Sequence, residues 1–126
     1  MTRREGLRRF AELLANDFDV EPPALEVAGR DKLQEVCGSP VLACYNFYEK
    51  KMYVGEDVDL WTFLHVFSHH LRLSFLNWDA EKFRSELLKS MLDPLYSMPH
   101  EAEAERFARV FAKLYRKVWE ELVEKA

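Results

Sequence analysis

Apolar and polar positions change period several times along the chain, and each change predicts an element. Between Arg3 and Phe18, Leu7, Phe10, Leu13 and Leu14 recur at helical spacing with arginines on the other side, which predicts a helix. Pro22 and Pro23 end it, because proline has no amide to donate and its ring clashes with a preceding turn. The segment Ala24 to Ala28 predicts a strand, and Asp31 to Cys37 a short helix stopped by Gly38. The runs VLACYNFY and KKMYV are rich in strand formers and flank a polar stretch at Glu49-Lys50-Lys51, the pattern of a hairpin; Tyr45 and Tyr53 are expected to pack across it. Asp57 or Asp59 caps the next helix, which runs to about Phe75. Asp79 opens another helix that stops before Pro94. Ser97, with Pro99 in the first turn, begins a last long helix to about Glu124. Its apolar positions Ala104, Phe107, Ala108, Phe111, Leu114, Tyr115, Val118 and Leu122 follow a 3.6-residue period. The order of helix, small sheet, helix, helix, helix defines an α+β domain with a two- to three-stranded sheet.

The helix ending near Phe75 carries the candidate chemistry. His65 and His69 are one turn apart, so their rings lie on one face and can share a metal ion. Glu101, near the start of the last helix, is a candidate third ligand, and the helix dipole favours a carboxylate there. Glu105, one turn later, is a candidate hydrogen-bond partner for a ligating ring. His70 and His100 stand next in sequence to the primary positions as alternative ligands, although His70 is rotated about 100° from His69. A plainer reading stands beside this one. Two histidines four apart are common, half-buried imidazoles bond to their neighbours, and E-A-E-A-E usually forms a solvated face. A zinc hydrolase of the H-E-x-x-H type needs a glutamate directly after the first histidine, and Val66 occupies that place.

Composition narrows the classes. The 126 residues suit one domain, 1–126, with a substantial core, since 48% are apolar and 13% aromatic. A net charge of −4 argues against a dedicated nucleic-acid binder, and Arg3, Arg4, Arg8 and Arg9 read as a solvated face beside acidic neighbours, with phosphate contact as the alternative. No apolar run approaches a membrane span, and MTRREGLRRF lacks the apolar segment of a leader, so a cytoplasmic location is expected. Charged residues make up 32% while side-chain amides are confined to Asn16, Asn46, Asn77 and Gln34, the trend of thermophile proteins. Cys37 and Cys44 are expected as free thiols in a cytosol, or as a bridge in the disulfide-keeping interior of a hyperthermophile. Trp61, Phe63, Phe67, Phe75 and Trp78 are expected mostly in the core; one at the surface would mark a partner contact.

In this order the pieces resemble the zincin-like metallopeptidases, most closely the minimal gluzincin type. That family has a small sheet with a hairpin, a helix with H-E-x-x-H, and a later helix with E-x-x-A-[DN]-x-F-A. Ala43, Tyr45, Asn46, Met52, Tyr53 and Val54 match the hairpin pattern. Leu64, His65, His69 and Leu71 match the first helix, and Glu101, Ala104, Phe107 and Ala108 the second; the likeness spans roughly residues 25–115. The resemblance implies zinc held by His65, His69 and Glu101. It departs at Glu105, where the family has Asp or Asn, and at Val66, where the family has its proton acceptor. The expected function is therefore a non-catalytic, degenerate zincin-like module that holds a divalent metal and binds a protein partner or peptide segment. Alternatives are a weakly active zinc peptidase with a substitute base, for which Glu56, Asp57 and Asp59 are near in sequence, and a helical interaction protein without metal.

Overall fold

The computed structural model describes residues 1–92 and 99–125, except for the side chains of Ser90, Met91, Pro99 and His100. Five helices surround a three-stranded mixed sheet: α1 Arg3–Asp17, β1 Ala24–Val27, α2 Arg30–Cys37, β2 Ala43–Asn46, β3 Lys51–Val54, α3 Leu60–Phe75, α4 Ala80–Leu92 and α5 Pro99–Trp119, continued by a π-helical turn at Glu120–Glu124. The architecture is α+β, and no described helix is long and apolar enough to cross a membrane.

Local chemistry sets most boundaries. Thr2 caps α1 by accepting from the Glu5 amide, and Asp59 caps α3 by accepting from Thr62. The Asp79 carboxylate accepts from the amides of Glu81 and Lys82 and opens α4. Gly38 ends α2 at a φ of 77°, a left-handed cap that costs glycine no steric strain. The expected helix stop before Pro94 and the Ser97 start lie outside the described residues.

The sheet order is β1-β3-β2, with β1 parallel and β2 antiparallel to β3. The hairpin expectation holds, but its register moves one pairing. Tyr45 faces Met52 and Tyr53 faces Cys44, so the two tyrosines lie on opposite faces of the sheet. Ala43, Tyr45, Met52 and Val54 turn toward the main core; Tyr53 turns toward Leu33 and Ala28 under α2, with Cys37 and Cys44 packed beside them. Cys37 and Cys44 are joined, with 5.8 Å between their Cα atoms, which replaces the free-thiol expectation. The reason is local. The Gly38 turn folds the chain back so that β2 runs beside the end of α2. A lasting bridge belongs to an oxidising compartment or to a hyperthermophile interior.

The main core is built where α1 and α5 close over α3. Phe10 sits edge-on to Phe63 and Trp119, and Ala104, Ala108 and Ala112 give α5 a small-residue face against its neighbours. A Cβ on Gly6 would stand 1.9 Å from the Leu122 carbonyl oxygen, so only glycine lets α1 approach the C-terminal turn this closely. Arg3 is structural rather than a solvated charge. Its guanidinium donates to the carbonyls of Glu56 and, at 2.9 Å, Val58, and lies over the Trp119 ring. Arg4 does pair with an acidic neighbour, Glu56, at 3.8 Å. Phe63 and Phe67 are buried as expected, whereas Trp61 and Phe75 reach the surface.

Candidate metal centre

Two helices create the site. The cap at Asp59 sets the start of α3, and the helical repeat then turns His65 and His69 toward the first turn of α5. Their rings lie 5.4 Å apart at an interplanar angle of 74°. Glu101 stands in the first turn of α5, one turn before the buried Ala104, whose small side chain lets the two helices approach. The result is a carboxylate shared by two imidazoles. His65 Nε2 is 3.1 Å from Glu101 Oε2, and His69 Nε2 is 3.5 Å from Glu101 Oε1. One ligand atom from each of the three residues lies within 4.8 Å of the others.

These distances fit a metal. Zinc bonds of about 2.0–2.1 Å in tetrahedral array leave neighbouring ligand atoms about 3.3 Å apart. His65 and His69 approach Glu101 at 3.1 and 3.5 Å, each through a different carboxylate oxygen, which are hydrogen-bonding separations of similar size to that spacing. The donor set of two imidazoles and one carboxylate is also one that zinc accepts, with a fourth position left over. The electrostatics agree. Hydrogen bonds from His65 and His69 hold the Glu101 carboxyl well below the usual carboxylate range, so it is an anion at any ordinary pH.

The triad borders a cavity of about 310 Å³. β2 supplies Ala43, Cys44 and Tyr45, α4 supplies Phe83 and Leu87, and Phe47 closes one side. Val66 lines the same cavity and is only 5% exposed, so an aliphatic wall stands where a zinc hydrolase carries its proton acceptor. Glu101 is the one carboxylate among the described lining residues. The candidate substitute bases lie elsewhere: Glu56 pairs with Arg4, Asp59 caps α3, and Asp57 lines a different depression with Arg30 and Gly55. A larger cavity of about 520 Å³ runs between α1 and the Val20–Leu25 segment, but its lining holds no cluster of ligand-type side chains.

The other candidate residues separate from the triad. His70 is 1% exposed and turned into the protein, where Nδ1 is 2.7 Å from the Tyr45 hydroxyl and Nε2 is 2.7 Å from the Glu21 carbonyl. A carbonyl only accepts, so Nε2 carries the proton and Tyr45 donates to Nδ1. Both nitrogens are spent, and His70 is no ligand for the α3–α5 site. The roughly 100° per residue of the helix is what sends it to the sheet while His69 faces α5. Glu105 is exposed and hydrogen-bonds neither ring among the described residues, because one further turn carries it past them. The side chain of His100 lies outside the described residues.

Sequence reasoning missed Tyr45 as a member of the site wall. It lines the triad's cavity while its hydroxyl anchors His70, and burial raises its pKa well above the ordinary tyrosine value. The available signal was the His69-His70 pair itself: if one ring faces α5, the next must find partners on the sheet side.

The chain matches no protein-family model, no curated protein sequence and no solved structure.

Proposed function

We propose that this chain is a zincin-like domain that holds a divalent metal, zinc by preference, through His65, His69 and Glu101. In this reading it serves as a metal-dependent binding module rather than a hydrolase. The observation that carries the proposal is the convergence of three ligand-type atoms within 4.8 Å of one another, at a cavity whose adjoining wall is Val66. The ordered motifs of hairpin, histidine helix and glutamate helix support the zincin-like kinship.

Zinc held by His65, His69 and Glu101 would supply Lewis acidity and would leave one coordination position for an outside ligand. The surrounding residues then decide its use. His65 and His69 orient the metal face of α3, and Glu101 supplies the negative charge that offsets a dication. Phe47, Phe83 and Leu87 give the cavity an apolar lining, which suits a ligand with one donor atom and an apolar body. Val66 accepts no proton, and loss of a positioned general base costs roughly 10²–10⁴ in rate.

Untagged protein, stripped with chelator and reconstituted with zinc, should carry close to one equivalent by elemental analysis. Less than about 0.1 equivalent would remove the metal from the proposal, since a three-ligand site retains zinc. Wild-type protein should cleave no peptide substrate. Chelator-sensitive cleavage by wild type that Val66→Glu leaves unchanged would instead favour an active peptidase.

A further inference from the structure

The Cys37–Cys44 bridge joins the last residue of α2 to the second residue of β2, and what it fastens is a wall of the triad's cavity. β2 has four residues and stands at the edge of the sheet, paired with β3 on one side only. Three of those four, Ala43, Cys44 and Tyr45, line the cavity beside His65, His69 and Glu101. Tyr45 also donates to His70, which follows His69 on α3. A shift of β2 is therefore felt at the candidate ligands, through the cavity wall and through the Tyr45–His70 bond. The bridge itself is open to reagents and lies outside the main core. Both cysteines are half-buried, and every residue between them from Gly38 to Leu42 is exposed. The main core contains neither sulfur; the two pack beside the small cluster of Ala28, Leu33 and Tyr53. Exposed bridges of this kind exchange readily with thiols and belong to the labile or regulatory class.

We infer that the bridge is a redox-sensitive latch on the candidate metal centre. A thiolate of a dithiol reductant attacks one sulfur, which breaks the Cys37–Cys44 bond and forms a mixed disulfide. The second thiol of the reductant then displaces the protein sulfur. The bridge has taken up two electrons and two protons, and the reductant has closed into its own disulfide. The products are two thiols, and α2 is no longer tied to β2. The fold persists, because the main core is untouched, β2 keeps its pairing with β3, and the Gly55 amide still donates to the Leu42 carbonyl. β2 then opens more often, since an edge strand has no neighbour on its other side. The oxidised form holds the wall and the triad in place; the reduced form loosens them and weakens metal binding. Zinc affinity is a readout only under the function proposed above, whereas hydrogen exchange in β2 is independent of it, so the two failures are distinguishable.

Amide hydrogen exchange of the metal-free full chain, before and after treatment with dithiothreitol, reads the latch directly, with free thiols counted by alkylation and mass spectrometry. Reduction under native conditions should free both thiols. It should speed exchange at Ala43–Asn46 by at least about tenfold, while Phe63–Phe67 in α3 changes by less than about twofold. Glutathione disulfide should restore the slow exchange. The Cys37→Ser, Cys44→Ser double variant offers zinc no thiol of its own and should exchange like the reduced protein with or without reductant. It should also bind zinc about tenfold more weakly than oxidised wild type, the low end of the loss when a group that positions a ligand is removed. A bridge that dithiothreitol leaves intact under native conditions overturns the inference, and so does unchanged exchange at β2. Fast exchange throughout α3 on reduction overturns it as well, because the bridge is then a staple of the whole domain. Zinc bound equally by oxidised wild type and the double variant refutes the coupling to the site. Zinc bound by neither, with the exchange result as expected, counts against the metal centre and supports the latch on the cavity wall.

Discussion

Helix α3 carries three histidines within six residues, and the two sides of the helix treat them differently. His65 and His69 are half-buried, face a carboxylate on another helix and border a cavity. His70, adjacent in sequence, is sealed between Tyr45, Trp78 and the Glu21 carbonyl. The side chain is the same in each case. Its surroundings decide whether imidazole is a donor held ready for a cation or a neutral strut in the core. A ring with both nitrogens satisfied by protein holds structure together; rings that share one carboxylate at a cavity edge are the group that the proposed function assigns to a dication.

Substitutions should separate the two sides, beginning with the largest effect. His65→Ala or His69→Ala removes a ligand and should lower zinc affinity by more than about 100-fold, beyond the 10–100-fold typical of outer partners. Isothermal titration against zinc measures this, and His70→Gln, if folded, should bind nearly as wild type. If His70→Gln abolishes binding while His65→Ala does not, the assignment of the two sides is reversed.

Stability in the presence of chelator should run the other way. His70→Ala leaves the Tyr45 hydroxyl and the Glu21 carbonyl unpaired in a buried site and opens a cavity, for a cost of about 3 kcal/mol. His65→Ala should change metal-free stability by less than about 1 kcal/mol. Denaturant unfolding of both variants tests the pair, and equal losses would mean that His70 is no more structural than its neighbour.

A smaller effect concerns pH. Burial first of all, with some help from nearby Lys50, lowers the His70 pKa, while hydrogen bonding to the Glu21 carbonyl and the Glu21 charge oppose this. The unfolded chain regains a value near 6.5. Above about 6.5 neither state takes the proton and nothing is lost. As pH falls from there toward the folded value, the unfolded chain binds a proton that the folded one refuses, so stability drops. The shared Glu101 carboxylate has a depressed pKa and acts lower. Its contribution is complete above the ordinary carboxylate value and is lost only as pH falls through the folded one. Metal-free wild type should therefore lose stability between pH 7.5 and 5.5, and His70→Gln should lose less; an unchanged pH dependence in the variant would assign the loss to another group.

The smallest effect is expected at Glu105. Glu105→Gln should alter zinc affinity by less than about twofold, since Glu105 is exposed and hydrogen-bonds neither ring among the described residues. A tenfold loss would restore it to the site.

Much of the fold was legible because short-range signals carry it. Asp59 and Asp79 are caps, Gly38 is a left-handed stop, and the alanines and aromatics of α5 repeat every turn. The β1–β3 pairing was legible only as a possible third strand, because a parallel ladder joins residues some 27 apart, Ala24 with Lys51, through an intervening helix. The register of Tyr45 and Tyr53 was misread by one step, and in a strand one step changes the face. The cysteine bridge depends on where α2 ends relative to β2, which spacing alone leaves open. Within the site, the i, i+4 rule placed His65 and His69 on one face. Glu101 was singled out by its place in the first turn of the last helix and again by the ordered motifs of a resembling family, but its meeting with the histidines was not legible, since the approach of α5 to α3 is a tertiary fact set by Ala104 and Ala108. Tyr45 and the closed environment of His70 required the sheet to be in place.

The most direct test is an anomalous difference map at the zinc edge from crystals of reconstituted protein. One peak is expected, about 2.0–2.2 Å from His65 Nε2, His69 Nε2 and a Glu101 carboxylate oxygen. Well-diffracting reconstituted crystals without density between those three atoms, or with the metal held elsewhere in the chain, would contradict the proposed centre.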